Sequence, residues 1–166
     1  MITTEMETVT CNFADPAHRQ AIGDLINTYI ADDMGGGTRL SGQQQLCLAD
    51  SLQKRPQTIV LLAGCGGVWC GLLVAFENFS TFAVQPMINI HDLVVRKEYR
   101  RQGVGQRLMN ALVVEAERRK CSRITLEVRQ DNLAAQRLYK AMGFDDTEPP
   151  MFYWRKEMNT QNSPVI

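Results

Sequence analysis

The sequence predicts an α/β protein in which a mixed β-sheet is flanked by helices on both faces. The chain has 166 residues, of which 45% are hydrophobic, so it is long enough for one well-buried core. Strand-like segments come first as a meander and alternate with helices only later, which favours antiparallel and parallel neighbours in one sheet. Since no Pro/Gly/Ser-rich linker divides the chain, we expect a single domain over residues 1–158 and a flexible tail over residues 159–166.

The first half of the chain predicts a strand, two helices and a hairpin. Val9, Cys11 and Phe13 alternate with polar neighbours, as in a short strand. Asp15 is a suitable N-cap for a helix over Pro16–Ala31, because proline has the φ that a first helical position needs. The remaining elements of this half are a helix over Arg39–Lys54 and two strands, Thr58–Ala63 and Val68–Phe76, joined by a Gly-rich hairpin turn.

The second half predicts strands and helices in alternation. An apolar strand over Met87–Val95 leads into an amphipathic helix over Gly103–Arg119. Ile124, Leu126 and Val128 then alternate with polar residues as a further strand. The last expected elements are a helix that begins at Asn132 and ends at Gly143, and an aromatic strand over Met151–Lys156.

Charge, cysteine content and hydropathy narrow the functional classes. Eighteen basic and eighteen acidic side chains cancel, so no global charge favours nucleic acid or an anionic membrane as partner. The five cysteines are odd in number and lack the paired spacing of zinc ligands, which predicts reduced thiols and no metal site. Without a signal-like start or a run of about 18 apolar residues, the expected location is the cytoplasm.

The segment Arg100 to Gly105, with the sequence RRQGVG, joins the apolar strand to the helix that follows it. A phosphate group at a helix N-terminus is stabilised by unpaired amides and by the helix dipole, and Gly103 and Gly105 let the backbone approach it closely. The spacing is not that of the dinucleotide-binding motif, since Leu108 stands in place of the third glycine, nor that of the P-loop. The segment therefore predicts a pyrophosphate-bearing cofactor outside those two folds.

Two ordered motifs resemble the GNAT superfamily of N-acetyltransferases. The segment Arg100 to Gly105, in the pattern Arg-x-x-Gly-x-Gly after a Leu-Val-Val strand, resembles motif A. The segment Asn132 to Phe144, in the pattern Asn-x-x-Ala-x-x-Leu-Tyr-x-x-x-Gly-Phe, resembles the motif B helix. The resemblance spans Ile88 to Phe144 and implies the GNAT acyl-CoA N-acyltransferase fold.

The same resemblance implies acetyl coenzyme A as the acetyl donor, with its pyrophosphate on the backbone amides around Gln102 to Gln106. In the family, two parallel strands splay apart at a bulge, and the pantetheine arm pairs with the exposed strand backbone, here near Leu93 and Val95. Asn132 is also suited to a plain N-cap, which its place in the site does not exclude. The expected cofactor-binding residues are Leu93, Val94, Val95, Arg100, Arg101, Gln102, Gly103, Val104, Gly105, Gln106, Asn132 and Tyr139.

Acetyl transfer to an amine requires a neutral nitrogen, and an amine with a pKa near 10.4 is neutral in only about four molecules per ten thousand at pH 7. A base is therefore expected, and an acid assists the departing thiolate. The resemblance implies that Tyr139 is this acid, although its position also suits a core aromatic. The Leu93 amide is the expected oxyanion donor.

Three side chains are candidates for the base. His91 and Asp92 lie just before the proposed bulge, and Glu77 is a third candidate. Period-2 geometry turns His91 and Asp92 to opposite faces unless the bulge reorients them. We favour His91, whose ordinary pKa near 6.5 suits proton transfer near neutrality. The alternatives are a hydrogen-bonded strand histidine and a carboxylate that only recognises a cationic substrate.

The acceptor is the least determined part of the prediction. The expected acceptor is a small amine or amino-acid-like metabolite, and the segment Ile90 to Val95 is similar to the acidic strand of polyamine acetyltransferases. The carboxylates of Asp32 and Asp33 either attract a cationic amine or are solvated loop residues. Alternatives are a protein N-terminal or lysine acetyltransferase, a non-catalytic CoA sensor, and an interaction protein. Because many relatives dimerise, we also expect a homodimer, with Phe152 to Trp154 as a contributing strand.

Overall fold

The computed structural model describes residues 5–158, which form a five-stranded sheet and four α-helices. The strands are β1 (Met6–Thr10), β2 (Thr58–Cys65), β3 (Val68–Ser80), β4 (Gln85–Val95) and β5 (Ile124–Leu126). The helices are α1 (Pro16–Ile30), α2 (Gly42–Gln53), α3 (Val104–Arg118) and α4 (Leu133–Ala141), with a single 3-10 turn over Lys97–Tyr99. The strands lie in the order β1-β2-β3-β4-β5; the first three pairs are antiparallel and the β4–β5 pair is parallel. The predicted mixed sheet is confirmed.

The two faces of the sheet carry separate hydrophobic cores. On one face α3 packs on β2, β3 and β4, with Leu108, Met109 and Leu112 fully buried. On the other face α1 and α2 supply Ile22, Leu25 and Leu52. Successive side chains of a strand point to opposite faces, so long strands buried on both faces need nearly continuous apolar sequence, as the predicted strands have.

Local capping explains where the first two helices begin. Asp15 Oδ1 accepts a hydrogen bond of 2.8 Å from the Ala17 N–H, as an N-cap before Pro16 should. The prediction that α2 begins at Arg39 was wrong. The Ser41 N–H donates to Gln44 Oε1 and the Gln44 N–H donates to Ser41 Oγ, and this capping box sets the helix start at Gly42.

One predicted strand is shorter than its sequence pattern, and another does not form within the described residues. Strand β5 stops at Leu126, two residues before Val128, because β4 pairs with it only as far as Ile90. The aromatic strand expected over Met151–Lys156 is absent: within the described residues this segment has no strand partner, and the Trp154 side chain is 86% exposed. High β-propensity does not make a strand without a neighbour to pair with. The predicted tail at 159–166 lies outside the described residues.

Candidate active site

A gap opens between β4 and β5 immediately after their short parallel pairing. The two strands pair only from Ile88–Ile124 to Ile90–Leu126. At the same level the β3–β4 register shifts, since Val74 lies opposite Asp92 and Ala75 opposite Ile90, which leaves His91 as the extra residue of a β-bulge. The bulge therefore lies where the sheet opens, at His91 itself and not beyond Asp92 as the sequence analysis expected.

The backbone of β4 beyond the bulge faces this gap. The Arg96 N–H donates to the Cys70 carbonyl of β3 at 2.9 Å. Because N–H groups alternate in direction along a strand, those of Val95 and Leu93 point away from β3 and into the gap. Val94 borders the same cleft, but its side chain is buried in the core beneath α1 and α2.

The N-terminus of α3 forms the second wall of the gap. Gly103 is the N-cap residue with a left-handed φ of +83°, a conformation that favours glycine. The N–H groups of Val104, Gly105 and Gln106 follow in the first turn, where helix geometry leaves amides without intrahelical partners. A Cβ atom on Gly105 would lie 3.1 Å from Leu138 Cδ2, so this glycine also lets α4 pack closely.

These walls enclose a cleft with a volume of about 580 Å³. It runs from the first turn of α3 along β4 to the bulge, and α4 closes its far side. Among the predicted cofactor-binding and catalytic residues, those that line it are His91, Asp92, Leu93, Val94, Val95, Arg100, Arg101, Gly103, Val104, Gly105, Gln106, Asn132 and Tyr139. Gln102 does not line the cleft, and its side-chain amide donates to the Glu98 carbonyl.

Arg100 connects the cofactor side of the cleft to the loop after α1. Its Nε donates to the Val95 carbonyl at 3.0 Å and its Nη2 lies 2.6 Å from Asp32 Oδ2. The hydrogen bond from Arg100 and a second from the Met34 N–H hold the pKa of Asp32 below its usual range. The positive charge of Arg100 thus balances the negative charge of Asp32, so this carboxylate is not free to attract a cationic amine.

The bulge brings His91 and Asp92 to the same cleft, although simple alternation would separate them. His91 Nδ1 lies 3.7 Å from Asp92 Oδ2. The two side chains differ in environment: that of His91 is 66% exposed and packs edge-on against Phe76, whereas that of Asp92 is 24% exposed. Burial raises the pKa of Asp92, and the nearby His91 opposes this increase only in part.

Two residues of the motif B helix face the cleft. Burial raises the pKa of Tyr139 to about 12, so the phenol keeps its proton at any physiological pH. Asn132 Oδ1 accepts a hydrogen bond of 3.2 Å from the Ala135 N–H, so this side chain is an N-cap at the cleft wall. Both interpretations of Asn132 are therefore compatible with its position.

Glu77 does not lie with the other candidate catalytic residues in the cleft. It lies on β3 outside the cleft, and its Oε2 is 2.7 Å from Arg119 Nη1 at the end of α3. Because Glu77 is outside the cleft and its carboxylate already pairs with Arg119, its position disfavours the third candidate for the base. Glu77 instead borders a separate groove along β3 and β4.

Several residues that line the cleft carried little or no signal in the sequence. Tyr29 and Met34 come from the end of α1 and its following loop, some sixty residues before the bulge, and reach the cleft only through the tertiary packing of α1 on β4. Glu127 lines the cleft from the segment after β5 and receives a 3.3 Å hydrogen bond from Asn89 Nδ2. Alternation with Leu126 and Val128 was the one hint that Glu127 lies near the site.

The described residues lack two other kinds of site. Within residues 5–158, no three side chains of the His, Cys, Asp and Glu types lie together as metal ligands would. None of the helices described is both long enough and apolar enough to cross a bilayer.

Comparison with known proteins now identifies the fold family. The family model for the acetyltransferase (GNAT) family matches residues 27–144, which is well over half of the chain. This chain belongs to the GNAT family. Solved structures with this fold include a probable acetyltransferase, with a TM-score of 0.77 and 19% identity over 93% of this chain and 99% of that one. An aminoglycoside N-acetyltransferase in complex with CoA gives a TM-score of 0.74 and 17% identity, over 93% and 97% of the two chains.

Curated relatives match a shorter part of this GNAT chain. The ribosomal protein bS18 alanine N-acetyltransferase of Escherichia coli (strain K12) is 34% identical over 73 residues, which is 42% of this chain and 49% of that protein. The thialysine N-epsilon-acetyltransferase of Bos taurus is 37% identical over 59 residues, or 36% and 35% of the two chains. The chain therefore spans about half the length of the first of these relatives, and about a third of the second.

Proposed function

We propose that this GNAT protein transfers the acetyl group of acetyl coenzyme A to the primary amine of a small molecule, by direct attack in a ternary complex. One observation carries the proposal: a single cleft joins the unpaired amides of α3 to the exposed β4 backbone and ends at Asp92 and Tyr139. The cleft thus has groups for phosphates at one end and for proton transfer at the other.

The residues present fit coenzyme A. The first-turn amides of α3 and the positive end of its dipole suit a pyrophosphate, and no acidic side chain in that turn opposes an anion. The N–H groups of Leu93 and Val95 suit the amide groups of a pantetheine arm laid along β4 as an added strand. When bound, acetyl coenzyme A supplies an activated thioester.

Asp92 is the group best placed to accept the amine proton. Its raised pKa makes the carboxylate a stronger base than an exposed aspartate, and its partial burial favours contact with an ammonium group. The more exposed His91 stands beside it at the bulge and can pass the proton to solvent. This assignment differs from the sequence-based preference for His91, and the different burial of the two side chains supports it.

Tyr139 and the Leu93 amide complete the proposed chemistry. The amine loses one proton to Asp92 before attack. As the C–N bond forms, the nitrogen loses a second proton to solvent; the C–S bond then breaks, the departing sulfur takes a proton from Tyr139, and the phenol regains one from solvent. Tyr139 is protonated at neutral pH and supplies the proton to the sulfur from within the cleft. The Leu93 N–H points into the gap and stabilises the carbonyl oxygen as it gains negative charge.

A small acceptor fits the molecule better than a protein. The Arg100–Asp32 ion pair ties the loop after α1 to the cofactor side of the cleft, which narrows access for a folded partner. One relative is named for thialysine, a small amino acid, although another is named for a ribosomal protein alanine. We therefore place the acceptor among small amines and amino-acid-like metabolites.

Thiol release from acetyl coenzyme A tests this proposal directly. We expect turnover with small primary amines or amino acids, and calorimetric binding of coenzyme A in parallel. Turnover only with peptides would indicate a protein acetyltransferase. Tight cofactor binding without thiol release for any acceptor would favour a sensor protein, and the absence of binding would contradict the proposed cofactor cleft.

A further inference from the structure

A second groove meets the cleft at the bulge. It has a volume of about 700 Å³, is open to solvent, and lies along the outer part of β3 and β4. His91 lines both this groove and the cofactor cleft, so the two meet at the proposed reacting end. We call this second cavity the acceptor groove; its lining residues are Arg55, Gln57, Phe76, Glu77, Asn78, Asn89 and His91.

Among residues 5–158, the acceptor groove has one cationic side chain, Arg55, that is not paired with a carboxylate. Across the groove, Glu77 is already paired with Arg119 at 2.7 Å. Within residues 5–158, no carboxylate lies at ion-pair distance from Arg55. Arg55 donates one hydrogen bond to the Ser51 carbonyl, which orients the guanidinium and leaves other N–H donors available.

The other lining groups suit a neutral polar chain rather than a polycation. Gln57, Asn78 and Asn89 present side-chain amides, and Phe76 provides an apolar wall beside His91. A guanidinium repels an acceptor whose far end carries an uncompensated positive charge, but binds a carboxylate through paired, charge-assisted hydrogen bonds. The groove therefore favours an acceptor with an anionic end.

The register of β3 indicates how far the carboxylate of the acceptor would lie from its reacting amine. The bulge lies at the level of Ala75, and the Glu77 N–H bonds the Gln57 carbonyl two residues farther along. With a rise of about 3.3 Å per residue, the backbone contact between Glu77 and Gln57 lies about 7 Å from the bulge, and Arg55 lines the same groove two residues before Gln57 in the chain. An α-amino group is too close to its own carboxylate to span this distance, whereas an amine at the end of a side chain can span it.

We propose that the acceptor of this protein is an ω-amino acid, whose carboxylate binds Arg55 while its distal amine reaches Asp92. This assignment rests on the proposed acetyl transfer and specifies its substrate class. It makes Arg55 a specificity-determining residue that contacts the substrate away from the reacting atoms.

Matched acceptors test the proposal on the wild-type protein with acetyl coenzyme A. Lysine and cadaverine carry the same terminal amine and differ by one carboxylate, while alanine keeps the carboxylate and lacks the distal amine. We expect kcat/KM for lysine to exceed that for cadaverine about tenfold or more, since a hydrogen-bonded ion pair is lost with cadaverine. Alanine should be a poorer acceptor than lysine.

Arg55→Ala should raise the KM for lysine about tenfold while changing kcat little, because Arg55 binds the substrate and does not take part in the chemistry. The KM for cadaverine should not rise. Lys54→Ala is the matched control: it removes a positive charge next to Arg55 in the chain, from a side chain that does not line the groove. This control should keep the preference for lysine.

The possible outcomes separate this inference from the proposed function. Selective loss of the lysine preference in Arg55→Ala supports the assignment. Equal or better turnover of cadaverine by the wild-type protein would overturn it and leave acetyl transfer standing. No thiol release with any of the three acceptors or with the wider amine panel would overturn both.

Discussion

The proposed cofactor side of the cleft is built from different parts of the chain than the proposed acceptor side, which consists of Asp92 in the cleft and the adjoining acceptor groove. The cofactor side consists of main-chain groups, namely the N–H groups at the start of α3 and those of Leu93 and Val95 on β4. The acceptor side consists of side chains such as Arg55, Phe76 and Asp92, which come from distant segments. Main-chain sites tolerate sequence variation as long as the fold is kept, whereas a side-chain site changes with each substitution.

This difference predicts a clear separation of mutational effects. Changes to the cofactor side should affect coenzyme A affinity with every acceptor. Changes at the acceptor end should affect turnover or acceptor choice and leave coenzyme A affinity intact. The following variants test the separation, beginning with the largest expected effect.

Gly103→Glu should reduce coenzyme A affinity by more than about a hundredfold, because it places a negative charge where the α3 amides face the pyrophosphate and disfavours the φ of +83°. Isothermal calorimetry measures this loss. Gly67→Glu is the matched control, since Gly67 has a φ of +78° and, like Gly103, open space around its Cβ direction, but lies in the β2–β3 turn. Equal losses of affinity in both variants would show that general destabilisation, not the phosphate site, is responsible.

Asp92→Asn should lower kcat about a hundredfold or more while coenzyme A binding persists. The same change should stabilise the folded protein at pH values above the folded pKa of Asp92. Because burial raises the pKa of Asp92, the native state holds this proton more tightly than the unfolded state, so wild-type stability falls as the pH rises through the folded pKa. Thermal unfolding at increasing pH, starting near the ordinary aspartate pKa of about 3.9, measures whether the advantage of the variant grows with pH.

Two further variants test whether the loss of kcat is specific to Asp92. Asp24→Asn removes a carboxylate of α1 that lies outside the cleft and should leave kcat unchanged. His91→Ala should cause a smaller loss than Asp92→Asn. A larger loss in His91→Ala, with a flattened rise of rate with pH, would restore histidine as the base that the sequence alone favours.

Tyr139→Phe should lower kcat about tenfold to a hundredfold without weakening coenzyme A binding, because it removes a proton donor and keeps the packing of the ring against Phe144. Steady-state kinetics and calorimetry on the same preparation separate the two effects. Tyr153→Phe removes the hydroxyl of a tyrosine that is 75% exposed and should be neutral. Wild-type turnover in Tyr139→Phe would assign Tyr139 to the core alone.

Asn132→Ala should cost about 1 kcal/mol of folding stability through the lost N-cap. Asp15→Ala removes the corresponding cap of α1, far along the chain from the cleft, and should cost a similar amount. If Asn132 also contacts the cofactor, coenzyme A affinity will fall only in Asn132→Ala. Equal affinity in the two variants would limit Asn132 to capping.

The cofactor side was largely predictable because its signals are local. A strand, a Gly-rich turn and a helix adjoin in sequence, so the pattern around Gly103 determines where the amides lie. A bulge was expected from the family resemblance, and the structure locates it at His91 by the register of β3 and β4. The motif B helix and its Asn132 cap were predictable for the same reason.

The acceptor side was poorly predictable because its contacts join segments far apart in the chain. Nothing near Asp32 indicates that Arg100, 68 residues later, neutralises it, and nothing near Glu77 indicates its ion pair with Arg119. The aromatic segment 151–156 has the composition of a strand, but pairing depends on a neighbouring edge that composition does not supply. Arg55 gave no signal in the sequence, because its lack of a carboxylate partner within residues 5–158 is visible only in the folded groove.

The short pairing between β4 and β5 has a consequence for handling the protein. Because β4 leaves β5 after Ile90, main-chain donors and acceptors of β4 are exposed. Such unpaired groups are a template on which a strand of another molecule can pair. A pantetheine arm laid along this backbone would cover that template, so coenzyme A would protect the protein as well as carry the acetyl group in the proposed reaction. Purification with coenzyme A should therefore suppress aggregation and raise the melting temperature with increasing ligand concentration.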